Sequence, residues 1–171
     1  YDALNRLSDA TGIYGNYSYE YDAVGNRESR THVGASVVES YAYAANSNQL
    51  DTVTKTINGL NPETRDLDYD AVGNIATDTR YNGDVVDLTY DQNNRLVEAN
   101  KNAQTVAGYI HNAMGQRVIK LTGGGTGDTR HFHYTQGGQL QSETDQYGNA
   151  LREYVYLGGL RVAIMVAIDN T

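Results

Sequence analysis

Polar and apolar residues alternate along the chain in short runs, as in Arg117-Val118-Ile119-Lys120-Leu121. A period of two is the pattern of a half-buried strand. The aromatic residues keep that spacing. Tyr19 and Tyr21, Tyr41 and Tyr43, and Tyr154 and Tyr156 stand two apart, so each pair points to one side of its strand. Turn-forming residues interrupt every run. In Asp22-Ala23-Val24-Gly25-Asn26, the opening Asp can accept hydrogen bonds from amides two residues on, and Gly25 and Asn26 tolerate positive φ. Asn58-Gly59 and Asn82-Gly83 are hairpin signals. Gly123-Gly124-Gly125-Thr126-Gly127-Asp128 and Gln146-Tyr147-Gly148-Asn149 read as further turns. Turn signals at about every 11 residues exclude long helices. The pattern predicts an all-β antiparallel meander.

The runs and turns form one repeated unit. The sequence reads YDALNRL from Tyr1, YEYDAVGNRES from Tyr19, YAYAANSNQL from Tyr41 and LDYDAVGNIAT from Leu67. It continues with LTYDQNNRLVE from Leu88, YIHNAMGQRVI from Tyr109, FHYTQGGQLQS from Phe132 and YVYLGGLRVAI from Tyr154. The position after the second aromatic is Asp2, Asp22, Ala44, Asp70, Asp91, Asn112, Thr135 and Leu157, in steps of 20 to 26 residues. The whole chain, 1–171, reads as a single array of eight units near 1–18, 19–40, 41–66, 67–87, 88–108, 109–131, 132–153 and 154–171. Two strands per unit give a strip of hairpins. The residues expected to shape it are the aromatics Tyr1, Tyr19, Tyr21, Tyr69, Tyr90, Tyr109, Tyr134, Tyr154 and Tyr156. With them come the turn-openers Asp2, Asp22, Asp70 and Asp91, and the turn residues Gly25, Asn26, Gly73, Asn74, Gly115, Gly138 and Gly158. Pro62, the one proline, is expected in the link behind the longest step.

Composition narrows the picture. Fifteen Tyr accompany a single Phe and no Trp, and 39% of residues are apolar, below the usual range of about 45–50%. Tyrosine suits a surface half wet and half buried, so a thin sheet is easier to build than a thick core. The net charge of -8 argues against nucleic acid, which needs a basic face, and against anionic membranes. No cysteine is present, so there is no disulfide framework. No apolar stretch is long enough to span a bilayer as a helix. With Tyr1 rather than Met first, the chain reads as a fragment or a processed product.

The repeated YDAxGN pattern resembles the tyrosine–aspartate (YD, or RHS) repeats of bacterial Rhs and wall-associated proteins, of Tc toxin C-subunit shells and of teneurins. The resemblance implies a curved β-strip that spirals into a hollow, secreted or cell-surface shell around a C-terminal toxin or effector. The expected partners are the remainder of a parent shell protein and its cargo polypeptide. Family members of this kind carry an autoproteolytic DPxGL-like motif beyond the YVYLGG unit, and residues up to Thr171 contain none.

Candidate chemistry is sparse. Asp66, Asp68 and Asp70 alternate and could present three carboxylates to calcium, but the Gly and closing Glu of a calcium loop are missing. His131 and His133 share a strand face, yet zinc needs more ligands than two. His32 is isolated, and His111 stands at a second-aromatic position as a substitute ring. The Gly-rich stretch is followed by no Lys-Ser/Thr, so it is not a phosphate loop. Asn16-Tyr17-Ser18 matches a glycosylation sequon. No ordered catalytic triad can be read. The reading is therefore non-enzymatic, with no metal and no cofactor.

Two functions remain: a structural wall segment, or an extracellular adhesive or carbohydrate-binding module. A uniform period of rings favours cross-strand aromatic ladders that hold register; a sugar site calls for a local cluster. The run Val162-Ala163-Ile164-Met165-Val166-Ala167-Ile168 is apolar and uncharged. On a free edge it is a template for another strand, and self-association through it is expected.

Overall fold

The computed structural model describes residues 1–123 and 128–167. The expected tip of the Gly-rich turn, 124–127, and the last residue of the apolar run, Ile168, lie outside them.

The described residues form strands β1 (Asp9–Gly12), β2 (Gly15–Tyr21), β3 (Arg27–His32), β4 (Val37–Tyr43), β5 (Leu50–Ile57), β6 (Leu60–Tyr69), β7 (Ile75–Thr79) and β8 (Val85–Tyr90). They continue as β9 (Leu96–Lys101), β10 (Gln104–His111), β11 (Arg117–Thr122), β12 (Thr129–Tyr134), β13 (Leu140–Thr144), β14 (Ala150–Leu157) and β15 (Leu160–Val166). A 3₁₀ turn spans Val33–Ala35. Strand order follows sequence order from β1 to β15. The alternating pattern thus yields the all-β antiparallel meander it predicts.

The chain packs as two compact units, Tyr1–Val86 and Asp87–Thr171. In the first, Tyr17 pairs with His32, Arg30 with Glu39, Glu39 with Lys55, and Leu67 with Asp78. These residues share one face, called here the tyrosine face. The intervening residues share the other: Ser18 with Thr31, Ser40 with Thr54, Thr54 with Thr64, and Asp68 with Thr77. Burial is thin. The buried apolar residues are Val53 and Leu67 in the first unit and Ala99, Ala107 and Phe132 in the second. Each unit also buries one carboxylate, Asp78 and Glu143 respectively.

Three local expectations are corrected. Pro62 lies inside β6, not in a loop. The β5–β6 register shifts between Lys55 and Ile57 beside it, and Asn61 takes φ 49°. A bulge is where a residue without an N–H fits a strand. Asn82-Gly83 makes no two-residue hairpin, because Arg80 N bonds Asp84 O and Gly83 N bonds Arg80 O in a wider loop. Asn58-Gly59 does turn in two residues, with φ 53° and 69°. Gly158-Gly159 does the same, with φ 57° and 85°, so the last unit has a tight turn in place of the Asp-led one.

Candidate functional site

The recurrent feature is the Asp-led turn. Asp22 Oδ1 accepts from Val24 N at 3.0 Å and Asn26 N at 2.8 Å, and Oδ2 accepts from Asn26 Nδ2 at 2.9 Å. Asp70 repeats this with Val72 N, Asn74 N and Asn74 Nδ2. Asp2 and Asp91 close the same loop with Arg6 and Arg95, whose guanidinium groups replace the amide. Asn112 Oδ1 accepts from Met114 N and Gln116 N. The fourth residue of each loop takes positive φ: Asn5 59°, Gly25 98°, Gly73 94°, Asn94 58°, Gly115 79° and Gly138 83°. Glycine and asparagine are the residues that tolerate this region.

The same loop recurs where a plain linking turn was expected. Asp145 Oδ1 accepts from Tyr147 N and Asn149 N, and Asn149 Nδ2 bonds Asp145 Oδ2 at 2.7 Å. The signal was present as Asp-x-x-Gly-Asn, the spacing of Asp22 to Asn26.

These bonds shift the carboxylates. In Asp91 the Arg95 side chain, then its amide, lowers the pKa from 3.8 to about 2. Asp70 and Asp145 are lowered chiefly by the side-chain amides of Asn74 and Asn149. For Asp22, desolvation pushes upward, but the Asn26 bonds outweigh it and the net shift is downward.

The second aromatic of a unit ties it to the unit before. The Tyr21 hydroxyl donates to Leu7 O at 3.0 Å, Tyr43 to Arg27 O at 2.9 Å, and Tyr69 to Leu50 O at 2.8 Å. In the second unit Tyr134 donates to Arg117 O at 3.0 Å and Tyr156 to Leu140 O at 2.9 Å. Each accepting carbonyl directly follows the preceding turn. A register shift falls at every one of these tyrosines: between Glu20 and Tyr21, Ala42 and Tyr43, Asp68 and Tyr69, His133 and Tyr134, and Val155 and Tyr156. The shift leaves one extra residue on the return strand, such as Glu28 or Ala76. His111 has the shift but no hydroxyl, and its Nδ1 is buried without a partner. Tyr1 precedes the first strand and is 81% exposed. Tyr90 ends β8.

The first aromatics do not form the expected ladder of rings. Among the described residues, ring stacking is confined to Tyr14, Tyr17, Tyr19 and His32, with Tyr17 and His32 centroids 4.5 Å apart. Elsewhere cations cover the rings. Arg27 lies 4.3 Å from the Tyr41 centroid, Arg117 lies 5.6 Å from Tyr109 and 4.5 Å from Phe132, and Arg161 lies 5.3 Å from Tyr154. Such contacts suit the electron-rich ring face. In the first unit all the cations, Arg6, Arg27, Arg30, Lys55, Arg65 and Arg80, lie on the tyrosine face or pair with a carboxylate there.

Each unit holds one buried carboxylate among cations, and sequence reasoning missed both. Asp78 accepts from Arg65 Nε at 2.7 Å and Nη2 at 3.0 Å, and from Arg80 Nε at 3.3 Å. Burial raises its pKa, but the arginine bonds outweigh burial and leave it lowered. Glu143 meets Arg130 at 3.3 Å and Arg152 at 3.8 Å, and accepts from the Tyr154 hydroxyl. That bond raises the Tyr154 pKa, with burial adding to it. Tyr41 is raised beyond the ordinary range by burial first, then by its bond to Glu39.

Of the candidate metal ligands, Asp66 and Asp68 stay on one face opposite Thr79 and Thr77. Asp70 leaves that row, because its carboxylate is committed to the turn. His133 Nε2 lies 3.0 Å from Thr144 Oγ1, and His131 faces Ile119 and Thr144. Among the described residues no group of three or more His, Cys, Asp or Glu could hold a metal ion. No helix among them is long and apolar enough to cross a membrane.

No protein-family model and no curated protein sequence matches the chain. Solved structures do. The crystal structure of TcdB2-TccC3-Cdc42 aligns over 89% of this chain and 9% of its own, at TM-score 0.69 and 16% identity. The crystal structure of TcdB2-TccC3 aligns over 100% of this chain and 13% of its own, at TM-score 0.54 and 14% identity. The Photorhabdus luminescens Tc holotoxin pore carrying TccC3-D651A aligns over 100% and 12%, at TM-score 0.53 and 13% identity. This chain thus spans only a small part of the solved chains it resembles, and the likeness is one of fold.

Proposed function

We propose that this chain is a non-catalytic wall segment of a secreted or cell-surface shell that encloses a C-terminal toxin or effector polypeptide. The observation behind this reading is the tyrosine tether. Within each unit hairpins are bonded to their predecessors through a side chain and a carbonyl, a link that needs no thick core and can be repeated from hairpin to hairpin. The thin burial of both units fits a wall with a wet surface. The shell would act by exclusion, keeping its cargo from solvent and proteases. The likeness to the Tc toxin structures supports the same reading at the level of fold. The test is limited proteolysis of the full-length gene product containing this segment. A C-terminal polypeptide should survive until the shell is unfolded. Cleavage of that polypeptide as fast as in a urea-unfolded control would defeat the proposal.

One observation favours a second reading, carbohydrate binding. The stacked rings of Tyr14, Tyr17, Tyr19 and His32 are a local cluster, the arrangement a sugar site calls for. A glycan array separates the readings: binding lost in Tyr14→Ala with the fold intact would favour adhesion.

A further inference from the structure

One hairpin junction of the second unit has no tyrosine tether. Leu96 directly follows the turn that Asp91 and Arg95 close. Its carbonyl therefore holds the place that Leu7 O, Arg27 O, Leu50 O, Arg117 O and Leu140 O hold at the tethered junctions. The second aromatic facing this place is His111, whose imidazole is shorter than a phenol and ends without a hydroxyl. Here Leu96, Tyr109, His111 and Arg117 line a surface cavity of about 210 Å³. The polar groups around it are uncommitted. His111 Nδ1 is buried without a partner. The exposed Arg117 lies against the rings of Tyr109 and Phe132 and meets no carboxylate among the described residues. The Tyr109 hydroxyl bonds none of them.

We propose that this cavity binds a small monocarboxylate with an apolar or aromatic body. The guanidinium of Arg117 matches a carboxylate in geometry and can hold it through two bonds. The Tyr109 hydroxyl and an imidazole N–H of His111 supply further donors, and Leu96 with the Tyr109 ring offers apolar surface to the body. The surrounding charge has the right sign. Lys120 stands opposite Tyr109 on the neighbouring strand. Asp91, in the flanking turn, already pairs with Arg95, and Glu98 pairs with Gly108, which puts it on the other face from Tyr109. In a chain of net charge -8 this cavity is lined by a cation and no carboxylate, a local field that attracts an anion. A single lining cation balances one negative charge, which selects a monocarboxylate over a phosphate dianion. The volume equals that of about seven waters at about 30 Å³ each, room for one ring and its carboxylate rather than for a peptide segment.

The test is titration of the whole 171-residue chain with 3-phenylpropionate, followed through the amide NMR signals of Leu96, Tyr109, His111 and Arg117. The shifts should saturate with a Kd on the order of 1 mM, the affinity expected of so small a ligand. His111→Tyr fills the cavity and brings a hydroxyl towards Leu96 O; it should abolish saturation while keeping the β circular dichroism spectrum and a thermal midpoint no lower than the parent's. Arg117→Gln should weaken binding at least tenfold. If that variant loses its β spectrum, Tyr109→Phe takes its place and should weaken binding as well. 3-Phenylpropanol, the same body without the charge, should bind at least tenfold more weakly, and inorganic phosphate should give no saturable shift at these residues. A parent chain without saturable shifts overturns the proposal, as does a His111→Tyr variant that binds like the parent. Phosphate or the alcohol binding as tightly as the acid overturns the ligand class. A tripeptide ending in a free phenylalanine carboxylate that binds at least tenfold tighter than 3-phenylpropionate overturns the assignment to a small acid.

Discussion

The hydroxyl of Tyr43 donates to the backbone carbonyl of Arg27 across 2.9 Å, binding the end of one hairpin to the first residue after the preceding turn. Tyr69 makes the same bond to Leu50. A net hydrogen bond of this kind contributes about 1 kcal/mol. Tyr43→Phe and Tyr69→Phe should each lower stability by that amount, which lowers Tm by roughly 2–4 °C. Urea unfolding of the two single variants and the double variant measures it. No change in midpoint for the double variant would remove the tether from the account of how hairpins are joined.

Asp78 and Asp68 sit on opposite faces of neighbouring strands and should respond very differently to truncation. Asp78→Ala strands two arginines that now share a buried carboxylate. Both arginines reach solvent, so the cost should be about 1–3 kcal/mol and not the larger figure of a sealed ion pair. Asp68→Ala on the exposed hydroxyl-rich face should fall within about 0.5 kcal/mol of the parent. Equal effects in chemical denaturation would contradict the assignment of faces.

Acid should loosen the Asp-led turns. A carboxylate whose folded-state pKa is depressed adds stability that is present above its unfolded value and lost as pH falls through the folded value. For Asp91 that window runs from 3.8 down to about 2. Thermal midpoints should therefore fall across that range, with Asp2, Asp70 and Asp145 contributing in the same direction. Asp91→Asn keeps an acceptor, as Asn112 does naturally, and should flatten part of the slope. Carbon-detected NMR should find the Asp91 carboxyl titrating near the bottom of this window; an ordinary titration would break the link to Arg95.

Gly15 leaves no room for a side chain. It holds φ at +110°, and a Cβ there would come within 2.5 Å of His32 Nε2. Gly15→Ala should destabilise the first hairpins by about 1–3 kcal/mol through backbone strain and the displaced imidazole. The Gly15→Ala/His32→Ala double variant should recover the steric part and retain the strain. An alanine variant as stable as the parent, read by thermal melting, would refute the close approach.

Period-two alternation and the Asp22-to-Asn26 turn are short-range features, so the sequence alone determined the all-β meander and most turn positions. Asp22, Asp70 and Asp91 act on amides two and four residues away, and that reach is visible in a line of text. Asn82-Gly83 shows where local signals fail: the dipeptide suits two turns, and only the Arg80–Asp84 backbone bonds select the wider one. The tethers of Tyr43 and Tyr69 reach carbonyls 16 and 19 residues away, and the burial of Asp78 and Glu143 relies on Arg65 and Arg130, each 13 residues away. Nothing in the spacing of Asp78 separates it from exposed Asp68. What separates them is the face to which the strand register assigns each, and Arg65 arriving from the neighbouring strand to neutralise the one that is buried. Tertiary structure decided that, because taking a carboxylate out of water is tolerable only where a cation is already in place.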